Sequence, residues 1–214
     1  MSKYHEYRYP DESEEYRNAR DKLLAAEIEL RRKVEQVARQ RRALPPGGEL
    51  TDDFVFESID GPLRLSALFE EEQDCLVLYS FMFAPGAKPC PMCTSMLDGL
   101  NGNVPQIKQR VSLAVVAAAS VAELQSFAEE RNWNNLRLLS GADTNYSRDY
   151  LGQSNTGSQM PMLNVFMQKN GKIRHSYGTE MMLAKSEDDQ DPRHIDMIWP
   201  LWNLLDFTPI GRAD

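Results

Sequence analysis

Cysteine, histidine, long apolar runs and excess positive charge are all scarce in this chain. There are only 3 cysteines and 3 histidines in 214 residues. Three cysteines exclude a disulfide-stapled scaffold. The most apolar run, VSLAVVAAASVA at 111–122, falls well short of the ~20 residues that cross a bilayer. The opening residues MSKYHEYRYPDESEEYR are polar and charged, with no apolar core segment of a secretory signal. A cytoplasmic protein is the expectation, with no membrane association. The 24 Lys and Arg are outnumbered by 32 Asp and Glu, a formal net charge of −8. That balance argues against a dedicated nucleic-acid binder, which is usually basic. What remains is ordinary soluble-domain composition, 42% hydrophobic and 26% charged. The length suits one domain plus an extra element and buries a core without staples.

The pattern divides the chain into an N-terminal helical extension, 1–48, and a domain over 49–214. Residues 11–43 read as one long helix, with Asp11 or Ser13 as its cap. Tyr16, Ala19, Leu23, Ala26, Leu30, Val34 and Val37 form a narrow stripe at roughly heptad spacing. LPPGG at 44–48 stops the helix. From Arg17 to Arg42 there are nine Lys or Arg against four Asp or Glu. This reads as a solvated face or as a basic patch. At 1.5 Å per residue the helix reaches about 45–50 Å. It is expected to lie across the domain or against a second subunit, which would make a homodimer.

The remainder alternates strands and helices. DFVFESIDGPLRLSALF at 53–69 predicts a strand, a turn at Asp60-Gly61-Pro62, and a second extended stretch. CLVLYSFMF at 75–83 reads as a buried central strand, and TSMLDGLNG as a short helix stopped by its glycines. VSLAVVAAA at 111–119 is a second buried strand. Ser120 and Glu123 form a capping box that opens a helix to about Arg131. NLRLLSG at 135–141 is a third strand, followed by a short helix near 144–151. MPMLNVFMQKNGKIRHSYG predicts two strands around Lys169-Asn170-Gly171. A final helix over 194–206 carries Ile195, Ile198, Trp199, Trp202 and Leu205. SEDDQDP at 186–192 reads as an exposed loop. The order implies an α/β fold, a mixed sheet flanked by helices.

The chemistry concentrates in KPCPMCT, residues 88–94. If Cys90 ends a loop and Pro91 takes the first helical position, its missing N–H costs nothing. The free N–H groups and dipole of the helix then favour thiolate at Cys90, from ~8.5 toward or below ~7 in known cases. Lys88 adds to the effect if it points inward. Cys93 lies one turn on and reaches back. Such a pair reduces a disulfide through a mixed disulfide on Cys90 that Cys93 resolves. The same thiols reduce a peroxide through a sulfenic acid. Duller readings are an inert pair, and a zinc site, for which Cys75, His5, His175 and His194 are too scattered to complete four ligands. Cys75 reads as a core residue. Met160-Pro161, just before a strand, is either an edge device or, in a cis peptide, a platform offering backbone to an extended substrate.

In order, these pieces resemble the thioredoxin-like fold, and Cys-Pro-x-Cys also resembles the glutaredoxin active site. Across nearly the whole chain, RRALP, DGPLRLSALF, SFMFAPG, CPMC, DGLNG and DFTPIGR resemble the DUF899 family, commonly labelled dithiol-disulfide oxidoreductase. The resemblance implies a thioredoxin-like domain with Cys90 and Cys93 as the redox-active pair and Pro161 as a cis-proline. The Trp-Cys-Gly-Pro-Cys signature of thioredoxin is absent. So is the peroxiredoxin threonine, since Pro85 is followed four residues later by Pro89. The leading expectation is a thiol–disulfide oxidoreductase with catalytic Cys90 and Cys93 and substrate-binding Met160 and Pro161. It would act on a protein or small-molecule disulfide, be reset by an external reductant, and need no cofactor or metal. The rivals are a thiol peroxidase using the same cysteines and a non-catalytic thioredoxin-like binding or assembly module.

Overall fold

The computed structural model describes residues 4–185, 188 and 196–211. The chain divides into two compact units, Met1–Pro45 and Pro46–Asp214. The first is dominated by α1, Glu14–Arg42. Of the two caps on offer, Ser13 is used: its Oγ accepts the Tyr16 N–H at 3.1 Å. Glu14 and Glu15 in the first turn, and Arg39, Arg41 and Arg42 in the last, oppose the helix dipole favourably. The helix gives out at Ala43, just ahead of Pro45 and Pro46.

The second unit is a seven-stranded sheet. Its strands are β1 (Val55–Ser58), β2 (Gly61–Arg64), β3 (Cys75–Phe81), β4 (Ser112–Ala117), β5 (Leu138–Ser140), β6 (Leu163–Lys169) and β7 (Lys172–Gly178). Their order is β2-β1-β5-β4-β3-β6-β7. The β1–β2 hairpin turns at Gly61, whose φ of +103° favours glycine. At the other edge Asn170 and Gly171 both take positive φ, the primed turn that joins β6 to β7. In the middle β3 pairs parallel with β4, and β6 runs antiparallel to β3. A parallel β–α–β unit followed by an antiparallel hairpin on the other side of its first strand is the thioredoxin-like arrangement.

Alternation along the central strands builds two cores. Tyr79 and Phe81 of β3 and Val115 and Ala117 of β4 face one side. There they meet α2 (Pro91–Ile107), α3 (Val121–Arg131) and Trp199. Leu76, Leu78, Ala114 and Val116 face the other side, with Phe56, Leu65, Leu68, Phe166 and Tyr146 of α4 (Tyr146–Asp149). The expected capping box is formed: Ser120 Oγ accepts from Glu123 N, and Glu123 reaches back to Ser120 N at 2.9 Å.

Three expectations are corrected. The helix after the cysteines does not stop at its glycines; α2 continues to Ile107 through Gly99, Gly102 and Pro105. Pro105 cannot donate to the Asn101 carbonyl, but Asn135 Nδ2 does so at 3.1 Å, so the carbonyl is not orphaned. Gly99 serves packing, since a Cβ there would stand 3.1 Å from Pro200 Cγ. The terminal helix is broken into a 3-10 turn, Asp196–Ile198, and α5, Pro200–Leu205. Trp199 separates them, and Pro200 restarts the helix at N1. His194, Ile195 and most of the 186–192 loop lie outside the described residues. The third correction concerns Pro161 and belongs to the site. Among the described residues, no helix is long and apolar enough to cross a membrane.

Candidate functional site

Strand β3 delivers the chain to the site. After Phe81 the loop folds back so that the Cys90 N–H donates to the Met82 carbonyl at 3.0 Å. Cys90 is then the N-cap of α2 in extended backbone, with Pro91 at the first helical position. Its carbonyl starts the helix by accepting the Thr94 N–H at 3.0 Å and the Thr94 hydroxyl at 2.9 Å. Glu123 steadies the loop, accepting the Gly86 N–H at 2.7 Å from the start of α3. That N–H and the Ser120 groups hold the Glu123 carboxyl below its usual range.

All three cysteines are free thiols, and Cys90 and Cys93 lie close together. Cys90 is half-buried, while Cys93 is 2% exposed and belongs to the core that includes Tyr79, Met96 and Leu97. Burial, with negative charge on Cys90 as a smaller contribution, pushes the Cys93 thiol up to about 12. Two groups work in the opposite direction, the Tyr79 hydroxyl and the Met82 backbone N–H. The Tyr79 phenol is fully buried and has no formed hydrogen bond. It approaches Cys93 closely enough to influence the thiol, yet outside the geometry of a completed bond in the dithiol state. Sequence reasoning missed it. Its signal was the one tyrosine of the strand, on the side that Cys93 covers.

The sign of the Cys93 shift has a consequence for stability. The folded state holds the proton from 9.0 up to about 12, so this stabilisation is complete below pH 9 and is lost as pH rises through that window. The reduced protein is therefore expected to lose denaturant resistance from pH 9 to 10. The slope should be shallower in Cys93→Ala. Equal slopes over that interval would contradict the burial account.

Met160 and Pro161 reach the same end of the sheet. The β3–β6 ladder pairs Tyr79 with Leu163, and the Ser80 N–H extends it to the Met162 carbonyl at 2.7 Å. The two preceding residues therefore leave β6 alongside Phe81 and Met82, where the cysteine loop departs. Pro161 is buried. The expected cis bond is not there: no cis peptide occurs among the described residues, and Met160–Pro161 is trans. The Met160 N–H is committed to the Gly152 carbonyl at 2.9 Å.

A cleft of about 720 Å³ runs beside the pair, between α2 and α3. Pro89 and Pro91 form its edge next to Cys90, Phe83 and Phe127 give it apolar floor, and exposed Lys88 lines it. Asp98 fastens its far wall, accepting Trp133 Nε1 at 2.8 Å and pairing with Arg131. Cys75 stands apart at the opposite end of β3, half-buried, and burial pushes its thiol up. His175 is engaged with Asn164 at 2.9 Å rather than with any cysteine. Among the described residues, no cluster of three or more His, Cys, Asp or Glu side chains comes together to hold a metal ion.

A family profile described as "Bacterial protein of unknown function (DUF899)" matches residues 8–214. The chain belongs to the DUF899 family. No curated protein matches it. Solved structures similar to this DUF899 chain include a peroxidoxin from Mycobacterium tuberculosis, at 22% identity and TM-score 0.47, covering 73% of this chain and 95% of that one. Another is thioredoxin peroxidase I of Plasmodium yoelii, at 16% identity and TM-score 0.49, covering 76% and 91%. A third is a secreted disulfide oxidoreductase of Mycobacterium tuberculosis, at 17% identity and TM-score 0.39, covering 70% and 96%. Likeness this remote carries no argument about reaction or substrate, and the architecture of the DUF899 chain rests on its own sheet order.

Proposed function

We propose that the chain is a thiol–disulfide oxidoreductase in which Cys90 attacks and Cys93 resolves. The observation that carries this reading is the asymmetry of the pair. A half-buried cysteine caps α2, and a core-buried, neutral cysteine sits one turn behind it. An anion on Cys90 lies at the positive end of the α2 dipole. It attacks one sulfur of a substrate disulfide, forms a mixed disulfide, and expels the other half as a thiolate. Charge on Cys90 is then gone, and with it one cause of the raised Cys93 thiol. Cys93 passes its proton to solvent or to the departing thiolate. Its sulfur, favoured as an anion by the Tyr79 hydroxyl and the Met82 N–H, attacks Cys90. The second substrate thiolate leaves, and two electrons have moved from the dithiol to the substrate. A thiol reductant returns the Cys90–Cys93 disulfide to the dithiol by the reverse exchange.

The cleft beside Pro89 and Pro91 is the proposed substrate seat, with Met160 contributing its carbonyl at the edge. Its apolar floor and open shape suit an extended peptide around a disulfide better than a small charged molecule.

The test is a redox titration of the full chain in glutathione buffers, followed by mass mapping. One intramolecular Cys90–Cys93 disulfide, with Cys75 still free, is the expected oxidised species. Its midpoint should lie in the ~−270 to −120 mV range of thiol–disulfide catalysts. Failure of the pair to form a disulfide at any potential would remove the enzyme reading and leave a binding module.

A further inference from the structure

The first five residues of the α1 stripe are exposed. Tyr16, Leu23 and Leu30 are 49%, 51% and 65% exposed, and Ala19 and Ala26 between them are exposed as well. These five residues alternate in steps of three and four, the a and d positions of consecutive heptads. We propose that this stripe docks a second copy of itself, as an antiparallel two-helix seam between two chains. This rests on α1 alone and is independent of the cysteine chemistry.

Packing decides the direction. In a parallel seam each residue faces its own copy, so bulky Tyr16, Leu23 and Leu30 layers would alternate with Ala19 and Ala26 layers. Alternating wide and narrow layers leave gaps that cost stability. Turned antiparallel about a point between Leu24 and Ala25, Ala19 faces Leu30 of the second copy and Leu23 faces Ala26. Every central layer then holds one leucine and one alanine, and the helices approach evenly. At each end Tyr16 meets Lys33 of the second copy, an aromatic face against an ammonium on a long apolar stem.

The flanking charges fit the same alignment. Arg20 and Glu27 occupy the e positions, and Lys22 and Glu29 the g positions. Antiparallel helices bring e to e and g to g. Arg20 then faces Glu27 of the second copy and Lys22 faces Glu29, each pair occurring twice by symmetry. Within one chain Arg20 and Glu27 already reach each other at 3.6 Å, so their charged ends lie along the rim of the stripe. Charge alone does not choose the direction, because a parallel seam would instead pair Lys22 with Glu27. That difference makes the direction measurable.

The experiment is sedimentation equilibrium of the full chain over a range of concentrations, with circular dichroism to confirm helix content. Wild type is expected to be a dimer, and Leu23→Lys/Leu30→Lys a monomer with unchanged helicity. Lys22→Glu turns two attractions into two repulsions and should weaken the dimer about tenfold. Adding Glu29→Lys should restore it, while adding Glu27→Lys should weaken it further. A wild type that stays monomeric overturns the proposal, as does a dimer indifferent to Leu23 and Leu30. Rescue by Glu27→Lys instead of Glu29→Lys overturns the antiparallel seam.

Discussion

Cys90→Ser is expected to abolish disulfide reduction, by roughly three orders of magnitude or more, whereas Cys93→Ser is expected to stall part-way and accumulate a mixed disulfide. The two losses differ because the two sulfurs stand in different surroundings. Cys90 is half-buried between Pro89 and Pro91, which line the cleft; Cys93 is 2% exposed. A serine at 90 removes the one partly exposed thiol of the pair, and the buried Cys93 thiol cannot replace it. A serine at 93 leaves the first attack intact and removes only the nucleophile that ends it. Mass spectrometry after a short exposure to oxidised glutathione separates the outcomes. Unmodified protein is expected for Cys90→Ser and a stable glutathione adduct at Cys90 for Cys93→Ser. A stable adduct at Cys93 in the Cys90→Ser chain would invert the assignment. Tyr79→Phe belongs to the same series: it removes a donor to the Cys93 anion, so adduct formation should keep its rate while resolution slows.

The pieces of the site that were legible in the sequence are those set by local rules. Pro91 announces a helix start wherever it follows a loop, and Ser120 with Glu123 announces another, because both act within one turn. The apolar runs of β3 and β4 were readable because strands buried on both faces need no alternation. What could not be read depends on distant residues. Nothing local says that Asn135 will satisfy the Asn101 carbonyl and so let α2 run through Pro105. Nothing local sets the Gly99 spacing to Pro200, which turns an apparent helix stop into a packing contact. The Met160–Pro161 bond illustrates the same limit from the other side. A family resemblance implied a cis isomer, but the bond here is trans, and only the register of β6 on β3 brings the pair alongside Met82. Tyr79 was visible as a residue of the strand, but its role required knowing which face Cys93 would cover.

The division of the sheet into two cores makes fold and chemistry separable, and Phe166→Ala is the substitution that should show it. Phe166 is fully buried on β6, opposite Leu76 of β3. Its ring lies 4.9 Å from that of Tyr150 and 5.4 Å from that of His175, both on edges steep enough to interlock. Neighbours held in two strands and in α4 cannot collapse into the space, so the expected loss is about 3–5 kcal/mol. For a domain whose whole stability is of order 5–15 kcal/mol, that leaves a folded but marginal protein. Met167→Ala is the matched control. It sits one residue along and points to the other face, where it is 40% exposed, so the loss should stay below about 1 kcal/mol. Urea unfolding midpoints measure both. Phe166 belongs to the core on the side of the sheet away from Cys93. The exchange rate per folded molecule should therefore change little in Phe166→Ala, even as the midpoint falls. A large drop in that rate at low temperature, where the variant is still folded, would mean that the two faces are coupled through β6 and the residues it carries to the cysteine loop.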